Sequence, residues 1–257
     1  MEIDATLWLL TALAGFAAGL IDSIVGGGGL VLTPAMLNLH PGLNILQAIG
    51  TQRTSSIMGT SVAAWNYLRK IHIERRILLP ACVAAMAASA IGVQFAKRLD
   101  PELLKWTVLA ICVILAVYTV FRKDLGLKEE RRFHPKHESL AALSIGTASG
   151  FYNGLIGPGT GTIMVFAFVS FLGLDFLKSS AISKAANVSA DISSWTVLML
   201  SGFVLWVLAV PLIIGNMLGS YIGSHMAIRK GQTFVRAVFL VIVLALIARQ
   251  AWQLLTA

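Results

Sequence analysis

Two cations carry the chemistry this chain could do, because each lies in a stretch that is otherwise mostly apolar. Arg53 lies in AIGTQRTSSIMGTSVAAW, and Lys184 lies 131 residues further on in SAISKAANVSADISSW. The same shift, without a gap, maps Gly15 onto Gly146, Gly19 onto Gly150, Gly26 onto Gly157, Gly28 onto Gly159 and Gly42 onto Gly173. It also maps Pro80 onto Pro211, Ser89 onto Ser220, Gly92 onto Gly223 and Arg98 onto Arg229. A cation repeated at equivalent points of two halves suits a site that holds an anion near the middle of a bilayer. An arginine fork can grip a tetrahedral or pyramidal oxyanion at two points. Thr51, Gln52, Ser183 and Asn187 flank the two cations and would add directional hydrogen bonds. Two other readings compete: an ion pair with Asp22 or Asp191, and snorkelling to a headgroup, most plainly for Lys184 beside Asp175 and Lys178.

Glycine turns are the second feature. Residues 26–29 are four consecutive glycines, and 157–161 read Gly-Pro-Gly-Thr-Gly. A helix interior loses about 1 kcal/mol per glycine and about 3 per proline. Each stretch therefore predicts two short helices joined by an unwound turn, the second starting near Gly28 or Gly159. Unwound backbone inside a membrane is tolerated only where protein or water satisfies it. Helix N-termini there would offer N–H donors and partial positive charge to an anion. The expected contacts are Gly26, Gly27, Gly28 and Gly29 in one half, and Gly157, Gly159, Thr160 and Gly161 in the other. Close helix packing through small residues is the competing explanation. No Gly-Lys-Ser/Thr follows either run, which excludes a phosphate-binding P-loop.

Asp22 and its counterpart Asn153 stand just before the turns. Asp22 is a candidate coupling carboxylate, a partner for Arg53, or a helix cap. Asp191 and His225 also fall in apolar segments, as proton relays or as satisfied polar residues. His134 and His137 have no third ligand nearby, and no metal or cofactor is expected. Cys82 and Cys112 lie in apolar runs without metal spacing and read as packing residues.

These residues need a scaffold that composition defines. The chain has 257 residues, 57% of them hydrophobic and only 12% charged. Its mean hydropathy is +0.80. Apolar runs at 77–96, 106–121 and 234–248 approach the roughly 20 residues a helix needs to cross hydrocarbon. This predicts an all-α polytopic membrane protein embedded in the lipid bilayer. The net charge of +8 sits in short loops, where it sets topology, so nucleic acid is excluded as a partner. The N-terminal MEIDATLW has neither a basic n-region nor a cleavage site, so no cleaved signal peptide is expected. Six tryptophans (Trp8, Trp65, Trp106, Trp195, Trp206 and Trp252) fall near span ends and read as interfacial anchors.

The 131-residue shift divides the chain into a first repeat at 1–121, a basic cytoplasmic linker at 122–138 and a second repeat at 139–257. The loop 69–76 (RKIHIERR) is basic, whereas its counterpart 200–207 (LSGFVLWV) is uncharged. Equivalent loops on opposite sides imply inverted-topology repeats, each a glycine-broken helical hairpin plus three transmembrane helices. The loop 97–105, with Lys97, Arg98 and Lys105, conflicts with its external assignment.

GLIDSIVGGGGL followed by AIGTQRTSS, and GFYNGLIGPGTGT followed by AISKAANVSADIS, resemble the TauE/SafE sulfite-exporter (anion permease) family, its YfcA-like members above all. The resemblance covers nearly the whole chain. It implies an integral membrane transporter of small, often sulfur-containing anions such as sulfite, sulfonates, sulfoacetate or thiosulfate. Such proteins commonly carry Gly-Thr-Asn-Lys where this chain has Gly50-Thr51-Gln52-Arg53, so the charge is kept. The expected function is alternating-access transport of a small anion in a bacterial inner membrane. A passive anion channel and a non-transporting assembly subunit are the alternatives, and a homodimer is left open. An enzyme is not expected, since no nucleophile–base pair or metal motif is present.

Overall fold

The computed structural model describes residues 4–96 and 126–255. The expected span at 102–121, the loop 97–105, and Arg98, Trp106 and Cys112 lie outside the described residues. What is described is helical. In order come α1 (Ala5–Val25), α2 (Gly28–Leu39), α3 (Ile45–Lys70) and α4 (Arg75–Ala96). Then come α5 (Pro135–Leu155), α6 (Thr160–Ala167) with a π-helical turn at Phe168–Leu172, α7 (Phe176–Leu200) and α8 (Trp206–Leu255). α8 breaks at Gly231, whose φ is 78°, and Ile242 comes back beside Gly27.

Three of these helices are long and apolar enough to cross a bilayer: Ala5–Val25, Arg75–Ala96 and Trp206–Ile242. The cation-bearing α3 and α7, with 26 and 25 residues, are as long but more polar. Each hairpin breaks where the glycines predict, yet its first limb is not short. α1 and α5 have 21 residues each, roughly 31 Å at 1.5 Å per residue. Nothing in either sequence before Gly26 or Gly157 interrupts helical hydrogen bonding, so the helix runs on. α5 also starts at Pro135, within the stretch expected to be linker, because proline suits the first helical turn.

Packing interlocks the halves. α1 lies against the first stretch of α8, and α4 lies against α5. Under the 131-residue shift these two pairs exchange. Their contacts run in parallel register: Gly15 meets Leu212, Gly19 meets Asn216, Gly146 meets Ala81 and Gly150 meets Ala85. Small residues permit this backbone approach. α3 and α7 begin from equivalent caps. Asn44 accepts from Gln47 N–H at 2.9 Å, and Asp175 accepts from Lys178 N–H at 2.8 Å. Arg53 and Lys184 therefore stand at the same height on their helices.

The linker does not float. Glu130 N–H donates to the Gly173 carbonyl at 2.7 Å, and Phe176 N–H donates to Gly126 at 2.9 Å. Arg131 then ties four elements together. It pairs with Glu74 of the α3–α4 loop at 2.9 Å, with Glu138 of α5 at 2.8 Å and with Glu129, which also holds Lys178 of α7. Burial raises the Glu74 and Glu129 carboxyls, but bonds from Arg131, joined at Glu129 by Lys178, outweigh it and hold both below their ordinary value of 4.5. A carboxylate depressed in the folded state stabilises fully above its unfolded pKa and loses that contribution as pH falls through the folded one. Thermal stability in detergent is therefore expected to drop as pH is lowered below about 4.5, and the drop is expected to shrink in Arg131→Ala.

Candidate functional site

The two hairpin tips meet at the centre of the described structure. Gly26 adopts φ 85°, and a methyl group there would stand 2.3 Å from the Gly161 carbonyl carbon. Each tip leaves the last carbonyls of its first helix without an intrahelical partner. These are satisfied from a distance in sequence. Tyr67 Oη donates to the Ser23 carbonyl at 3.0 Å, and Ser180 Oγ donates to Ile24 at 3.3 Å.

The cations also bond carbonyls at these helix ends, and each serves the other half; the Asp22 carbonyl accepts from Gly26 N–H at 2.7 Å as well. Lys184 Nζ donates to the Asp22 carbonyl and lies 3.4 Å from the Asp22 carboxylate. Arg53 Nη2 donates to the Asn153 carbonyl at 2.6 Å. Asp22 and Asn153 are equivalent under the 131-residue shift, so the arrangement is reciprocal. A cation at a helix C-terminus also complements its negative dipole end. Snorkelling is overturned for Lys184, which is fully buried; the pairing with Asp22 is what the structure contains.

The carboxylates are exchanged between equivalent positions. In the first half, Asp22 accepts from Thr60 Oγ1 at 3.1 Å. In the second, Asn153 Nδ2 donates to Asp191 at 2.9 Å, and Asp191 occupies the position of Thr60. Asp191 also accepts from Ser56 Oγ at 3.1 Å. Asp22 also accepts from Gly28 N–H at 3.2 Å, so its carboxylate satisfies a first-turn donor of α2.

Between the tips lies a polar cavity of about 30 Å³, room for roughly one or two waters. Of the expected residues, Asp22, Gly27, Gly29, Gln52, Arg53, Asn153, Gly157, Gly159, Thr160, Gly161, Asn187 and Asp191 line it. Gly26, Gly28, Thr51, Ser183 and Lys184 do not. Ser56, which also lines it, was not among the expected contacts. The 131-residue shift pairs it with Asn187 and would have found it. Arg53 is only 4% exposed, and its Nη1 has no hydrogen-bond partner. Asn187 Oδ1 is likewise buried and unpaired. Gln52 faces the cavity while its Oε1 accepts from Thr33 at 2.6 Å. In the first turn of α6 the Thr160 and Ile163 N–H groups already bond the Gly157 and Gly159 carbonyls, which leaves Gly161 and Thr162 as the donors this helix end has to offer.

Thr51 has a different task. Its Oγ1 accepts from Leu205 N–H at 3.0 Å, at the start of α8. Thr51→Ala is expected to destabilise the protein by about 1–2 kcal/mol, the cost of an unsatisfied donor, and Thr51→Ser to restore it. Anion affinity measured on the folded fraction is expected to match wild type. Trp195 likewise does more than anchor, since its indole N–H donates to Thr54 Oγ1 at 2.8 Å. His134 and His137 are exposed, and no cluster that could hold a metal occurs among the described residues. A larger groove of about 930 Å³ between α5 and α6 carries no Lys or Arg and is almost wholly apolar, which does not suit an anion.

Comparison with known proteins places the chain among membrane transporters by name. Residues 11–249 match the family described as Sulfite exporter TauE/SafE. A Sinorhizobium protein named probable membrane transporter protein ORF9 is 30% identical, over 92% of this chain and 89% of its own length. A probable membrane transporter protein of Haemophilus influenzae is 29% identical over 98% of both chains. The Escherichia coli K12 probable membrane transporter protein YfcA is 27% identical over 92% of this chain and 85% of its own.

Proposed function

The chain belongs to the Sulfite exporter TauE/SafE family, and from that membership we propose that it carries small sulfur-containing anions, such as sulfite or sulfonates, across a bacterial cell membrane. The observation that carries the reading is the buried guanidinium of Arg53, which lines a polar cavity between two broken helices and whose Nη1 has no hydrogen-bond partner. A guanidinium has nitrogens to spare. One caps Asn153, and another remains for an oxyanion. Both bonds of the Lys184 ammonium go to Asp22, and Lys184 does not line the cavity, so it acts by holding the opposite tip. Asn187, Ser56, Gln52 and the α6 N-terminus complete the anion's hydrogen bonds.

Alternating access around this point is supported by the relation between the halves. α3 and α7 are equivalent under the 131-residue shift, yet they cross antiparallel: Thr54 meets Trp195 and Ser56 meets Asp191. That crossing favours an inverted pair of repeats, the arrangement in which one half rocks against the other. A cavity of only about 30 Å³ supports reading this conformation as an occluded one.

Reconstituted protein tests the proposal. Proteoliposomes preloaded with sulfite or methanesulfonate are expected to take up the labelled anion by counterflow. Phosphate and acetate serve as comparison anions. Uptake no faster than in protein-free vesicles for every sulfur anion would refute it.

A further inference from the structure

Resting on the anion-transport reading, we propose that transport is coupled to protons and that Asp191 is the carboxylate that is protonated as the anion reaches Arg53. Charge balance leads there. Asp22, Arg53, Lys184 and Asp191 gather around the two tips, and each cation is matched by one carboxylate. A monoanion entering this enclosed place would leave an uncompensated negative charge, which a low-dielectric interior strongly disfavours. A positive charge must therefore arrive with it.

The hydrogen bonds decide which carboxylate accepts the proton. Asp22 faces the Lys184 ammonium at 3.4 Å, the Gly28 N–H at 3.2 Å and the Thr60 hydroxyl at 3.1 Å. The ammonium and the backbone N–H can only donate, so a proton arriving at Asp22 would find no acceptor among its partners except the Thr60 hydroxyl. Asp191 faces only neutral donors, Asn153 Nδ2 at 2.9 Å and Ser56 Oγ at 3.1 Å. The Ser56 hydroxyl can rotate and accept instead of donate. Among the described residues Asp191 forms no ion pair within 4.0 Å. The charged groups that face it are Asp22 from α1, Arg53 from α3 and Lys184 from its own α7; α5 presents Asn153, and α4 presents Ser89, whose hydroxyl bonds Asn153 and the Ala190 carbonyl.

Asp191 and Arg53 also line the same cavity. While ionised, Asp191 competes with any anion for the guanidinium. A proton from water on one side forms an O–H bond on Asp191 and releases Arg53 for the anion. When the anion leaves on the other side, the proton returns to water there, and Asp191 again faces Arg53 as an anion. An O–H bond of hydronium breaks as the O–H bond on Asp191 forms, the reverse exchange follows on release, and no other covalent bond changes.

Proteoliposomes containing a pH-sensitive dye and given labelled methanesulfonate, a monoanion throughout the working range, test this. Wild type is expected to acidify the lumen as methanesulfonate enters, and to accumulate it when the lumen is made alkaline. In Asp191→Asn the ratio of protons to anions moved is expected to fall to background, whatever the absolute flux. Asp191→Glu is expected to keep the ratio. Wild-type influx with no proton movement, or with sodium in place of protons, would overturn the proposal, as would an unchanged ratio in Asp191→Asn. If the asparagine variant does not fold, the wild-type and glutamate arms still decide. Counterflow at constant pH separates the two failures, because its absence in wild type removes the transport reading itself, whereas its presence without protons removes only the coupling.

Discussion

Arg53→Ala is expected to lower sulfite or methanesulfonate counterflow by roughly 100-fold or more, on the scale of a few kcal/mol for truncating a buried charged partner. The side chain does two things at once. Nη2 holds the Asn153 carbonyl at the second hairpin tip, while Nη1 stays unpartnered on a side chain that lines the cavity. Removing it also takes away an opposite charge that acts on the buried Asp191 carboxylate, and a buried charge left less compensated destabilises the fold. A loss of activity could then reflect a loss of folding, and a paired variant separates the two. Arg53→Ala with Asp191→Asn is neutral again, so it is expected to recover much of the thermal stability in detergent while remaining inactive in counterflow. Arg53→Lys is expected to fold but to transport poorly, because one ammonium cannot cap Asn153 and face the anion together. Wild-type flux in the alanine variant would end the assignment of Arg53 as the anion contact.

Gly26→Ala is the second large effect, and it acts on folding. Gly26 combines φ 85° with ψ 170°, a region that essentially only glycine enters, and forcing another residue there costs on the order of 1–3 kcal/mol. The added methyl would also lie 2.3 Å from backbone of the opposing tip, where no side chain can swing aside. Overpacking of this kind adds about 1–3 kcal/mol. Together these approach the total stability of an ordinary domain, about 5–15 kcal/mol. The expected result is little or no monodisperse protein on size exclusion in mild detergent. Gly42→Ala is the control: nothing lies within 4 Å of a methyl group there, and an exposed surface change stays within about 0.5 kcal/mol. Equal yield and melting temperature for the two variants would contradict the tip-to-tip packing.

Gly42 shows why the repeat alone could not rank its own members. Gly42 and Gly173 match under the same shift as Gly26 and Gly157, and the shift by itself gives all four the same weight. In the structure Gly42 borders open space, whereas Gly173 has φ 74° and a Glu130 carbonyl against it. A glycine records that backbone freedom or closeness was needed somewhere, not which neighbour required it. Thr51 gives the same lesson in another form. Its place beside Gln52 and Arg53 suggested a substrate contact, but successive helical residues point to different faces, and that of Thr51 meets the start of α8.

The amino-acid sequence by itself determined the membrane class, the duplication, the two helix breaks and the pair of cations, because hydropathy, spacing and helix-breaking residues are local properties that any neighbourhood must accommodate. It also contained the carboxylates and polar groups of the cavity, without their partners. Only the tertiary structure decided that Lys184 is consumed by Asp22 while Arg53 keeps a nitrogen free. The physical reason is distance along the chain. Arg53 meets Asn153 across 100 residues and Lys184 meets Asp22 across 162, so which cation was left with an unsatisfied donor depended on how two interlocked halves pack, and no local pattern encodes that.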